Sequence, residues 1–276
     1  MPDQDIKISS PEEVLQKLLS LYQIDAPLAL LLDFDGTLAP IVEDPQKAVP
    51  PAEVSDNIAK LTAYIEILGI VSGRELEFLE NVFAPYLNIN NPIKLFGLYG
   101  NHSNDKEFSD THSQVWMDEQ LTESILELLK PVRDQAEIEI KKTGIVIHYR
   151  KNPSSERTVL ALAGKAARQF NLVLNPGKKV VELTLDGQVN KATVVEYVAR
   201  SAGAICYLGD DYGDIPAFDA VNSMGKNGLS VAVYSKEAPA ELLTKSQLIL
   251  SDTQAVHELI HMLADHYRKH LGRMFP

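Results

Sequence analysis

The stretch "LALLLDFDGTLAPI" (Leu28–Ile41) decides the fold. Five apolar residues of strand length run into two acids, Asp33 and Asp35, separated by one Phe. The apolar run lacks period-two alternation, which predicts a parallel strand covered on both faces. Open parallel sheets carry their sites at the carboxyl ends of strands, so acids there are candidates for chemistry. Side chains two apart on an extended chain face the same way, which lets Asp33 and Asp35 address one centre. The plainer reading is an Asp-Gly turn or a helix cap.

The same rhythm extends outward. "SSPEEVLQKLLSLY" predicts a helix, with Ser10 capping, Pro11 in the first turn and Glu13 closing a capping box. Its apolar face is Val14, Leu15, Leu18, Leu19 and Tyr22. "PPAEVSDNIAKLTA" predicts a helix, "YIEILGIVSGR" a strand and loop, "RELEFLENVFAPY" a helix, and "IKLFGLYGNH" a strand with a polar end. Strand and helix alternate again after Gly187, through "AICYLGDD", "LSVAVY" and a long C-terminal helix. The middle differs. Helices starting near Trp116 and at Ser154 or Ser155 mix with hairpins turning at Lys142–Gly144 and Asn175–Gly177. The expected plan is an α/β core with a parallel sheet, residues 1–103 and 186–276, interrupted by an α+β insertion at 104–185.

Four polar clusters fall at predicted strand ends: Asp33/Asp35, Ser72–Arg74, Asn101/His102 and Asp210/Asp211. The formal net charge of −12 argues against a nucleic-acid partner, because phosphate backbones require positive patches. A bound cation would reconcile clustered acids with phosphate handling. The one cysteine, Cys206, excludes an intrachain disulfide and a thiolate zinc cluster, and its apolar setting predicts a buried, inert thiol. The polar N-terminus lacks signal-peptide character and no run is long enough to span a bilayer, so a cytoplasmic monomer is the expectation.

"DFDGTL" (Asp33–Leu38) resembles the first motif of the haloacid dehalogenase (HAD) superfamily, D-x-D-G-T-L. Ser72 in "GIVSGR" resembles its second motif, Lys191 in "VNKATVV" its third, and Asp210, Asp211 and Asp214 in "YLGDDYGDIPAF" its fourth. The resemblance implies a HAD-like Rossmannoid core and a phosphoryl-transfer site. In it Asp33 attacks phosphorus and Asp35 acts as acid and base. Ser72 holds the transferring group and Lys191 balances charge. A Mg2+ ion rests on Asp33, the main-chain carbonyl of Asp35 and Asp210, with Asp211 and Asp214 behind them. The acid at residue 35 fits phosphatases and mutases rather than dehalogenases.

An insertion between the second and third motifs resembles the type-two cap. "DFDGTLAPI", "VSGR", "IEIKKTGIVIHYRKNP" and "GKKVVEL" are similar to the trehalose-6-phosphate phosphatase family. That likeness implies a sugar-phosphate substrate contacted by Arg74, Asn101, His102, Arg150, Lys178 and Glu182. The plain reading of Lys178 and Glu182 is a solvated pair. His148 is read as cap-sheet packing, Trp116 as packing, and His257, His261 and His266 as surface or core residues. Three departures bear on the sugar: "GNHS" carries Ser103 where the family has Gly, Lys191 precedes Ala192 rather than Gly, and "DDYGDIPAF" lacks the family's Thr and Glu. The alternatives are a phosphatase for sucrose phosphate or glucosylglycerol phosphate, a phosphomannomutase, and a catalytically silent sugar sensor.

Overall fold

The computed structural model describes residues 6–21, 27–42, 44–87, 92–112 and 116–270. Tyr22 lies outside the described residues. The chain forms two compact units, Met1–Phe108 with Asn190–Pro276, and Ser109–Val189. In chain order the first segment contains α1 (Pro11–Leu21), β1 (Leu28–Leu32), α2 (Ala52–Leu61), β2 (Ile67–Val71), α3 (Leu76–Phe83), β3 (Lys94–Gly97), β4 (His102–Ser103) and α4 (Lys106–Thr111). Next come α5 (Glu119–Leu129), β5 (Glu137–Lys141), β6 (Gly144–His148), α6 (Glu156–Phe170), β7 (Leu172–Gly177) and β8 (Val180–Leu185). The chain then runs through α7 (Lys191–Val198), β9 (Ala204–Gly209), α8 (Ile215–Ser223), β10 (Gly228–Val233), α9 (Ala240–Lys245), β11 (Leu248–Leu250) and α10 (Thr253–His270).

The first unit is built on a seven-stranded sheet in the order β11-β10-β9-β1-β2-β3-β4. Every neighbour pair is parallel except β3 with β4. All residues of β1, β2, β9 and β10 are buried, as expected for strands covered on both faces. With β1 between β2 and β9, the residues after these three strands come together at one edge. Among the described residues no helix is long and apolar enough to cross a membrane.

The second unit has an antiparallel sheet in the order β5-β6-β8-β7. Alternation sorts its faces. Ile145, Ile147, Val181, Leu183 and Leu172 are buried in one cluster with Ile125 and Leu129 of α5 and Val159 and Ala163 of α6. The other face carries Glu139, Lys141, His148, Asn175, Glu182 and Thr184, because cross-strand partners share a side.

Four local expectations give way to geometry. The strand after Ile93 ends at Gly97; Leu98 and Tyr99 turn left-handed (φ 49° and 61°) and the chain returns as β4, antiparallel to β3. The second hairpin turns at Lys178–Lys179 rather than at Asn175–Gly177, with Lys179 at φ 60°. Pro176 stays inside β7 because β7 is an edge strand, where a missing N–H breaks no ladder. Helix α5 begins at Glu119, capped by Asp118, and Trp116 before it is 39% exposed. Ser155 does not cap α6; its hydroxyl donates to Asn152 O instead.

Candidate active site

The residue between the two acids explains how they are held. Phe34 is fully buried, edge-on to Phe78 and Phe83, and its carbonyl accepts from the N–H groups of Leu38 and Ala39. Its ring anchors the turn in the core while its neighbours stay at the sheet edge. Gly36 completes the turn at φ +81°, and a Cβ there would stand 2.1 Å from Asp210 Oδ2. Only glycine admits both the backbone angle and the close approach of that carboxylate.

Asp33 after β1, Asp210 after β9 and Asp214 each offer an oxygen within 4.8 Å of the others. All three are buried, as is Lys191 at the start of α7. The Lys191 ammonium donates to Asp33 at 2.5 Å and to Asp214 at 2.6 Å. Asp214 Oδ1 also accepts from Tyr207 OH at 2.8 Å, and its Oδ2 accepts from the N–H groups of Asp210 and Asp211. Both Asp214 oxygens are therefore spent on holding the loop and the lysine.

One ammonium bonds two of the three clustered carboxylates. Burial, then Asp214, pushes the Asp33 carboxyl well above its ordinary range, against the pull of Lys191 and with a further push from Asp210. Burial alone would depress Lys191, but Asp214 and Asp33 override it and hold the ammonium protonated. Burial, with Asp214 and Asp33 beside it, likewise raises the Tyr207 phenol. An all-oxygen, anionic, buried donor set fits a hard divalent cation. Asp33 and Asp210 have the oxygens to hold one, with the carbonyl of Asp35 on the same turn.

Asp35 lies outside that trio. Its carboxylate takes two bonds from Arg74, Nε at 2.7 Å and Nη2 at 2.6 Å, and the guanidinium sits 4.7 Å over the Phe78 ring. Asp33 and Asp35 thus have separate cationic partners. Ser72, almost fully buried after β2, accepts the Arg74 N–H at 3.1 Å. Asp211 caps the turn after β9, accepting from Tyr212 N–H. Asn101 is buried and donates to Leu98 O at 2.7 Å, while His102 sits on β4 opposite Gly97.

Sequence reasoning missed Tyr99. Its ring packs where Cβ atoms on Gly73 and Gly213 would lie, touching the loops after β2 and β9 together. Its left-handed backbone costs about 1–2 kcal/mol and is held by Tyr99 N–H to Ser72 O and Leu98 N–H to Arg74 O, both 2.8 Å.

Arg150, Lys178 and Glu182 belong to the second unit. Arg150 donates to Lys178 O at 2.9 Å. Lys178 and Glu182 are both buried, so they are not a solvated pair. Glu182 Oε1 is buried without a hydrogen bond, with Lys141 Nζ 3.9 Å away. Lys141 was legible only through the alternation of "EIEIK", which puts it on the Glu182 face. His148 does not pack within the sheet; it pairs on the polar face with Glu139 at 2.9 Å.

A family profile described as Trehalose-phosphatase matches residues 31–252. The trehalose-6-phosphate phosphatase of Escherichia coli K12 is 30% identical over 222 residues, covering 76% of this chain and 79% of that protein. The trehalose-phosphate phosphatase of Mycobacterium leprae is 28% identical over 259 residues, and the chain spans 57% of that protein's length. The C-terminal domain of the Candida albicans trehalose-6-phosphate phosphatase has a like fold, with a TM-score of 0.75 at 20% identity over 95% of this chain and 99% of that one. With a match over well more than half of its length, the chain belongs to the trehalose-phosphatase family.

Proposed function

We propose that the chain is a magnesium-dependent phosphatase that hydrolyses trehalose 6-phosphate to trehalose and phosphate. The observation that carries this reading is the buried trio Asp33, Asp210 and Asp214, two of them bonded to the Lys191 ammonium. When bound, magnesium supplies the positive charge that lets a phosphate dianion approach a carboxylate.

In this reading Asp33 is the nucleophile. Its free oxygen attacks phosphorus, the P–O bond to the sugar breaks, and an aspartyl-phosphate forms on Asp33. Asp35 gives a proton to the departing sugar oxygen and later takes one from the water that hydrolyses the intermediate. Each Asp35 oxygen accepts one bond from Arg74 and keeps a second lone pair for proton transfer. Arg74 therefore fits a role in holding Asp35 before the substrate arrives. Ser72 hydrogen-bonds the phosphoryl oxygens, and Lys191 keeps the Asp33 carboxylate ionised and aimed. Asp211 and Asp214 support the loop that presents Asp210. Asn101 and His102, where β3 turns back into β4, contact the sugar phosphate.

The second unit is the cap, expected at 104–185, and it selects the sugar. Its under-satisfied Glu182, with Lys141 3.9 Å away, suits hydroxyl groups that both donate and accept. A single buried thiol, Cys206, needs no oxidising compartment, and a cytoplasmic monomer remains part of the proposal. Phosphate release from a panel of sugar phosphates tests the substrate. The highest kcat/KM should fall on trehalose 6-phosphate. A higher value on sucrose phosphate or glucosylglycerol phosphate would replace the sugar, and an isomerised sugar phosphate without free phosphate would replace the reaction.

A further inference from the structure

Helix α10 begins one residue past the stretch that carries the family match, yet it touches the turn that bears both acids. Within that turn the N–H groups are satisfied internally: Gly36 to Ala39 O at 2.7 Å, Leu38 and Ala39 to Phe34 O at 2.9 and 2.8 Å. The carbonyls of Gly36 and Leu38 are taken from outside. Thr253 Oγ1 donates to Gly36 O at 3.3 Å, and His257 Nε2 donates to Leu38 O at 2.8 Å. Because a carbonyl only accepts, the bond fixes the histidine tautomer with its proton on Nε2.

Thr253 and His257 are four residues apart, so they stand one above the other on one helix face. The rest of α10 is firmly seated. Val256, Leu259, Ile260, Leu263 and Tyr267 are buried, and the helix packs against α1 and α2. Two donors on a rigid helix thus grip a turn whose Gly36 already lies against Asp210. Small displacements of reacting groups carry large rate penalties.

We propose that Thr253 and His257 are positioning residues for the reaction: they fix the Gly36–Leu38 turn and through it the two acids on either side of Phe34. The link to rate rests on the proposed roles of Asp33 and Asp35. The grip itself is measurable without turnover. His257→Leu removes the donor, His257→Gln supplies one from a side-chain amide, and Thr253→Val removes a hydroxyl at constant shape. Hydrogen exchange at the Gly36, Leu38 and Ala39 amides is read beside kcat and KM for phosphate release.

In His257→Leu those amides should exchange about fivefold faster, the scale of one lost hydrogen bond, with α10 amides unchanged. kcat should fall about ten- to a hundredfold with KM held within about twofold. His257→Gln should recover most of both. Unchanged turn exchange in His257→Leu, or a loss that appears in KM alone, overturns the proposal. If His257→Leu fails to fold, Thr253→Val decides by the same amides. If the wild-type chain releases no phosphate, the proposed function fails and the exchange data alone decide this inference.

Discussion

Replacing Asp33 by Asn should make the metal-free protein more stable while abolishing phosphate release. With the carboxylates within 4.8 Å of one another, each repulsion on Asp33 is at least about 3 kcal/mol at an effective dielectric of about 20, and the 2.5 Å contact with Lys191 returns about 7 kcal/mol. The two repulsions offset that attraction, leaving the desolvation of the charge, several kcal/mol, without compensation. An amide of the same shape removes this cost, and Lys191 keeps Asp214 at 2.6 Å. A gain of about 2 kcal/mol is expected near neutral pH, a Tm rise of roughly 4–8 °C for a protein of this size. The Asp33 carboxyl is raised above its ordinary 3.8 by burial and its acidic neighbours. Its stabilising contribution is full below that value and lost as pH rises through the raised one. The gap between variant and wild type should open as pH climbs from 3.8 and close in acid. Excess magnesium should reverse the order, because the wild type gains about 3 kcal/mol at a hundredfold excess over Kd and the variant gains less. Thermal unfolding with chelator and with magnesium reads all of this. A variant that melts below the wild type in chelator, with equal magnesium shifts in both, would refute the reasoning.

Lys191→Met should cost about 3–5 kcal/mol in urea unfolding, since Asp33 and Asp214 are left buried without their ammonium, and should lower kcat at least a hundredfold. Gly36→Ala should abolish phosphate release in the same assay, because its Cβ would stand 2.1 Å from Asp210 Oδ2. Tyr99→Gly should be more stable than Tyr99→Ala by about 1 kcal/mol, since only the glycine relieves the left-handed backbone while both lose the ring. Equal stabilities for that pair would remove strain from the description of the loop.

The parts of this protein written in local pattern were readable in sequence. The unbroken apolar run before Asp33 announced a strand buried on both faces, and polar clusters at three strand ends, two of them acidic, fell together because β1 lies between β2 and β9. Partners far apart in sequence were not readable. Arg74 on Asp35 spans 39 positions, and His257 on Leu38 spans 219; composition and periodicity carry no signal for either. Turn chemistry failed where tertiary position overrode it. Asn175–Gly177 looks like a turn, but an edge strand tolerates its proline. Leu98 and Tyr99 adopt a backbone that their types disfavour, held there by the carbonyls of Ser72 and Arg74. Resemblance alone suggests Asp214 behind a metal; the structure shows its two oxygens accepting four hydrogen bonds, from Lys191, Tyr207, Asp210 and Asp211.

The most direct measurement is an acid quench of the chain during turnover of trehalose 6-phosphate with magnesium, followed by mass mapping of acid-stable and hydroxylamine-sensitive adducts. A phosphoryl group on Asp33, absent in Asp33→Asn, is the expected result. Continued phosphate release with no adduct on Asp33, or with the adduct on another residue, would contradict it.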